Sequence, residues 1–244
     1  MKKIVFVLLG TMILATSCVS IVVNSVRGEG EVVVENKTFD PSSVQALGVS
    51  SGFDVVLDSS VEPGVVEITT CKNIMEYVEV EVANGSLEIG MRRGNSYDVE
   101  RLEARLSPVG LSTFAVSGGV DMICSEPLNI EGTMVMAVSG GADVDFAEVV
   151  AAKAVVAVSG GADVELRGGC RELEVAVSGG ADVDLGEFCA ESVKAEASGG
   201  ADLDIYATVS YVIDASGAAD VEYRNSGATT DIESSGAAEV TSMN

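Results

Sequence analysis

The chain contains no histidine and no tryptophan, only four prolines, and fourteen bases against thirty-eight acids. Without histidine, a His-based catalytic triad and a histidine-rich zinc site are both excluded. A formal charge of −24 rules against nucleic acid as a partner and favours metal cations or basic surfaces. Aromatic residues make up 5% of the sequence, so a core must be narrow and filled mostly by Ala and Val. No long amphipathic helical pattern occurs, which leaves strands as the building element.

What the sequence has in abundance is one repeated stretch. AVSGGADVDF (Ala137–Phe146) recurs as AVSGGADVEL (Ala157–Leu166), AVSGGADVDL (Ala176–Leu185), EASGGADLDI (Glu196–Ile205) and DASGAADVEY (Asp214–Tyr223). AVSGGVDMI (Ala115–Ile123) precedes the series and ESSGAAEV (Glu233–Val240) follows it. The aligned serines Ser117, Ser139, Ser159, Ser178, Ser198, Ser216 and Ser235 are separated by 22, 20, 19, 20, 18 and 19 residues. A period near 20 with turn chemistry at one fixed place means stacked coils.

Parity within each repeat separates core from surface. Met134, Met136 and Val138 alternate with outward positions before the serine, as do Leu173, Val175 and Val177. After the turn, Ala142, Val144 and Phe146 continue the same alternation, as do Ala181, Val183 and Leu185. Period two is the signature of half-buried strands. Glycine is required at the corner, where the backbone takes positive φ or approaches the next coil closely. The expected fold is all-β: a parallel, right-handed β-helix of ~20-residue coils with a smaller N-terminal β region. The last repeat turns polar at Thr229, Thr230, Asp231 and Ser234, as a solenoid end should.

Ahead of the repeats, Lys2 and Lys3 and the apolar run Ile4–Leu14 form a leader too short to span a bilayer. It ends at LATSC and resembles a bacterial lipoprotein signal, which would make Cys18 the acylated first residue of the mature chain. An ordinary cleaved signal is the alternative, and either sends the chain out of the cytoplasm. Loss of the two leader lysines takes the formal charge to −26. The expected division is a leader over 1–17, a tether over 18–30, an N-terminal β region over 31–110 and β-helix repeats over 111–244. Within the third part, YVEVEVANGSLEIGM (Tyr77–Met91) reads as a hairpin turning at Asn84-Gly85. Residues 73–76 suit a short helical turn.

GEGEVV (Gly28–Val33), VSSGFDVVL (Val49–Leu57), NGSLEIGM (Asn84–Met91) and the Ser-Gly-Gly series together resemble the bacterial autotransporter-adhesin head domain, or head GIN domain, family. The resemblance covers nearly the whole mature chain. It implies a superhelix similar to pectin-lyase β-helices, a role in adhesion and no shared catalytic set. This chain has Ser-Gly-Gly-Ala-Asp where a Gly-Ser-Gly core is commoner in that family, so no binding residue is carried over.

Two carboxylate columns are the features most able to carry chemistry. One is Asp121, Asp143, Asp163, Asp182, Asp202, Asp220 and Glu239; the other is Asp145, Glu165, Asp184, Asp204 and Glu222. Coils repeat every ~4.8 Å, where like charges repel by roughly 0.9 kcal/mol even in bulk water. Asp143, Asp163, Asp182 and Asp202 are the candidates for weak, multi-site Ca²⁺ binding; a solvated, aggregation-resistant face is the plainer account. No cofactor is otherwise expected. The serine column lacks an activating base, and turn formation explains it.

Cys170 and Cys189 each lie eleven residues after an aligned serine. This predicts one inward column shared with Val150 and Val209, where the two cysteines either form a disulfide or simply fill a small core site. The resulting reading is a lipid-anchored outer-membrane protein serving as a non-enzymatic adhesin-like module. Its expected partners are the membrane through Cys18, a glycan or protein ligand and further copies of itself, with no nucleic acid. The alternatives are a polysaccharide lyase-like β-helix enzyme and a purely structural envelope component.

Overall fold

The computed structural model describes residues 24–224 and 227–243, so the leader, Cys18 and the first part of the tether lie outside the described residues. The alternating segments form strands almost throughout. β1 (Asn24–Arg27), β2 (Val32–Thr38), β3 (Ala46–Ser50), β4 (Asp54–Leu57) and β5 (Val65–Cys71) come first. One helical turn, α1 (Lys72–Met75), then leads to β6 (Val78–Ala83), β7 (Ser86–Met91), β8 (Asn95–Asp98) and β9 (Leu102–Leu106). β10 (Thr113–Gly118) and β11 (Asp121–Cys124) open the repeats. They are followed by β12 (Leu128–Gly140), β13 (Asp143–Gly160), β14 (Asp163–Gly179), β15 (Asp182–Gly199) and β16 (Asp202–Ala215). β17 (Asp220–Arg224), β18 (Thr229–Ser234) and β19 (Glu239–Met243) close the series.

The repeats stack as parallel coils with like residues on like residues. Ser117, Ser139, Ser159, Ser178 and Ser198 are in register along one face, and Asp121, Asp143, Asp163, Asp182 and Asp202 along the next. We call these the serine face and the acid face; a shorter return strand joins them on the far side of each coil. The inward positions expected from parity are buried, among them Met134, Met136, Val156, Val175, Ala181, Val183 and Leu203. Phe114 and Phe146 meet edge to face at 5.1 Å within this narrow core.

The corner is a ladder in its own right. Gly140, Gly160, Gly179 and Gly199 all have positive φ, between 86° and 96°. The amide of Gly161 donates to the carbonyl of Gly140 at 2.8 Å, and that of Gly180 to Gly160 at 2.8 Å. Successive corners therefore touch backbone to backbone, with no room for a side chain between them.

Parallel stacking runs through the 110/111 boundary without a break. β10 pairs with β12 on one side and with β3 on the other, which sets Ser50 beside Ser117; β11 likewise pairs with β4, and Asp54 with Asp121. Outside that coil, β7 parallels β3 and β9 parallels β4. The next layer reverses direction: β5 is antiparallel to β9, and β6 is antiparallel to β7. Between them α1 buries Ile74 and Met75, plugging the end of the core. β2 pairs antiparallel on the outside of β5, while β1 pairs with β8. The N-terminal region thus supplies both the first coil and a reversed cap. Its hairpin turns as expected, with Asn84 at φ 52° and Gly85 at φ 82°.

At the other end, every residue of β18 is exposed, so the polar last repeat ends the apolar core as the sequence implied.

Candidate functional site

The acid face places its carboxylates in columns because every second residue of a strand points outward and the strands are in register. The first column is longer than the repeats suggest. Asp54 stands beside Asp121, and Glu103 beside Asp54, so nine acids run in line from Glu103 to Glu239. The carboxyls of Asp143 and Asp182 are raised above the usual aspartate range, first by partial burial and then by the neighbouring aspartates of the column.

The second column is partly neutralised. Arg167 bonds Glu165, reaches Asp145 at 3.1 Å and approaches Glu187 at 3.4 Å, so one guanidinium serves three coils. Further along, Asp204 sits in register between Asp184 and Glu222. Burial, followed by repulsion from Asp184 and Glu222, pushes its carboxyl up to about 6. Nearby, Arg224 lies over the Tyr206 ring at 4.7 Å and forms no ion pair among the described residues. Toward the cap the column changes character: Asp145 gives way to Ile123, Val56 and finally Arg105. Arg105 bonds Asp58, whose carboxyl is lowered to about 2, chiefly by hydrogen bonds from Ser60 and then by Arg105.

An open trough of about 530 Å³ runs between the two columns, lined by Asp121, Ile123, Asp143, Asp145, Asp163, Glu165 and their neighbours. Asp143, Asp163 and Asp182 line it one coil apart, and Asp202 follows next in register. They form a line rather than a cage, and among the described residues no group of three or more His, Cys, Asp or Glu side chains converges to hold a metal ion.

The serine face carries a second trough of about 310 Å³, where Ala157, Ala176, Ser159 and Ser178 form a floor beside Glu196 and Asp214. The nearby lysines are ion-paired: Lys153 binds Glu174 at 2.6 Å, and Lys194 binds Glu196, one of the trough's own acids, at 2.6 Å. Neither trough is lined by a base.

The expected cysteine column requires correction. Gly169 is opposite Cys189, and Cys170 is opposite Ala190, so the two cysteines are one register position apart. A register shift in the return strand causes this, because counting eleven residues from each serine passes through a different number of bulged residues. Nor is the position inward throughout, since Val150 is 47% exposed and Val209 58%. Cys71, Cys124, Cys170 and Cys189 are all free thiols in the structure.

Comparison with known proteins adds family and fold. A family profile described as "Putative auto-transporter adhesin, head GIN domain" matches residues 44–227. No curated protein matches the sequence significantly. Among solved structures, an adhesin described as putative from Bacteroides fragilis NCTC 9343 is 15% identical with a TM-score of 0.81, over 89% of this chain and 100% of that one. A counterpart from Parabacteroides merdae ATCC 43184 is 18% identical with a TM-score of 0.69, over 90% of this chain and 99% of that one. Another from Parabacteroides distasonis ATCC 8503 is 18% identical with a TM-score of 0.64, over 90% and 100%. At these identities the likeness is one of fold.

Proposed function

This chain belongs to the head GIN domain family, and from that premise we propose that it is a lipid-anchored, non-enzymatic adhesin-like module of the bacterial cell envelope. The observation that carries the reading is the surface itself: two long, open faces of in-register side chains meeting at the Ser-Gly-Gly corner. Such faces suit an extended ligand held by many weak contacts across several coils. The acid face suits a basic or cation-bridged partner, because its first column combines nine carboxylates with a trough that no base lines. A lyase-like active site needs an acid and a free base converging in a cleft, whereas the bases that reach these troughs, Arg167 and Lys194, are held in ion pairs with Asp145, Glu165 and Glu196.

Cys18 is the anchor in this reading, on the strength of the LATSC leader. Replacing Cys18 with Ala is expected to release the protein from the membrane fraction; unchanged partitioning would remove the anchor. Ligand class is read by screening the soluble fragment 24–244 against glycans and matrix proteins, with and without divalent cations. Saturable binding without product formation is expected. Cleavage of any glycan would replace the module with an enzyme.

A further inference from the structure

The two ends of the solenoid differ, and the tether leaves only one of them. Between Cys18 and Asn24 there are six residue steps, which span at most about 22 Å fully extended. Asn24 begins β1, which pairs with β8 beside the cap. If Cys18 is acylated, as proposed above, the cap is held within that distance of the bilayer. The acid face counts eleven strands from β2 to β19, so ten steps of ~4.8 Å place the last coil about 48 Å further along the axis.

The cap also exposes apolar side chains at the end where the tether leaves. Its outermost strands show Val32 (44% exposed), Val34 (62%) and Val82 (43%). Exposed Lys72 and Arg93 are in no ion pair among the described residues, and Tyr77 and Tyr97 pack half-buried against each other at 5.6 Å. Glu31, Glu35, Glu76, Glu79 and Glu81 are exposed on the same outer strands and turns, which favours a surface contact over deep insertion. Lying on its side, the solenoid would have to press the acid columns, Glu196 and Asp214 of the serine face, or the exposed Glu148, Glu187 and Glu191 of the return face against the headgroups. Desolvating those carboxylates is costly, and anionic lipid would repel them within a Debye length of about 8 Å.

We infer that the reversed cap is the face this protein turns to a zwitterionic lipid surface, with the solenoid upright and its last coil pointing away. The absence of native tryptophan provides a clean test. Full-length protein carrying Val34→Trp, Val82→Trp, Val209→Trp or Ala237→Trp is purified from membranes and placed in phosphatidylcholine vesicles with brominated acyl chains. Tryptophan emission at 34 and 82 is expected to fall at least twofold relative to unbrominated vesicles, with no change at 209 or 237. Equal quenching at 209 would mean that the solenoid lies on its return face, and quenching at 237 that it is inverted; either overturns the inference. Mass spectrometry of the same samples separates the two layers of argument. Acylated Cys18 without quenching at 34 and 82 overturns the orientation alone, whereas unmodified Cys18 overturns the anchor and the orientation with it.

Discussion

Gly160 and Gly161 are adjacent in sequence and should respond oppositely to the same substitution. Gly160 has φ +96°, and a Cβ built there would lie 2.5 Å from the Gly140 carbonyl oxygen and 2.9 Å from its nitrogen. Both atoms are backbone in a packed corner ladder and cannot swing aside. Left-handed strain costs an L-residue about 1–2 kcal/mol, and overpacking adds about 1–3 kcal/mol. Gly160→Ala should therefore cost about 2–5 kcal/mol, a large part of the 5–15 kcal/mol typical of a folded domain. Gly161 has no positive φ, and its nearest obstacle is the Gly180 oxygen at 4.0 Å. Gly161→Ala should be neutral or stabilise by about 0.4–1 kcal/mol, because it restricts the unfolded chain. Urea unfolding followed by far-UV circular dichroism distinguishes the two. With a slope of about 3 kcal/mol per M, the Gly160 midpoint should fall by roughly 0.7–1.7 M. Equal shifts, or greater damage at Gly161, would refute the corner-ladder account.

Three further predictions concern the ladders and the core. Ala181→Leu points into the close-packed interior and should cost about 1–3 kcal/mol, while Asp182→Asn, one residue on, should cost little or stabilise; denaturant melts showing the reverse order would overturn the inward–outward assignment. The pH dependence follows from carboxyls raised in the folded state. With Asp204 at about 6 against an ordinary 3.8, the folded protein binds the proton more tightly, so stability should rise as pH falls from 7 through 6 toward 4. Asp58, lowered to about 2, works in the opposite sense and loses its contribution as pH falls below about 4; a thermal midpoint that declines steadily from pH 7 would contradict this pair. Finally, Ca²⁺ should raise the melting temperature modestly above Na⁺ at matched ionic strength, and Asn at 143, 163, 182 and 202 together should abolish the difference. Equal melting temperatures for the unmodified protein would leave the ladders as a solubility device.

Much of this architecture was legible because one turn recurs at one place. Serine, two glycines and alternating small residues define corner, parity and stacking together, so the core and the carboxylate columns follow from counting. Counting failed where the coil changes length. The return strand absorbs the differences between coils as register shifts, and the offset that aligned Cys170 with Cys189 crossed one of them. A slip of one position reverses which side a residue faces. The coil made by β3 and β4 was hidden for another reason. Its VSSGFDVVL carries the corner pattern, but about sixty residues of cap separate it from Ser117. No local periodicity reports a spatial neighbour that far away in sequence, so Asp54 and Glu103 went unrecognised as members of the first column. Nor could sequence show that Arg167 would gather acids from three successive coils, since that depends on where a long side chain swings.

The separation between an invariant corner and an elastic return strand also bears on how such a chain can change over generations. Each coil meets its neighbours through the same backbone contacts, and steps of 18 to 22 residues already coexist in one stack. Duplicating or losing one whole repeat would join corner to corner with every interface remade. The near-identical amino-acid segments 137–146, 157–166 and 176–185 mark where such a change would leave the corner pattern unbroken. The protein's height then becomes a heritable dial with a step of ~4.8 Å, adjustable without inventing a single new contact.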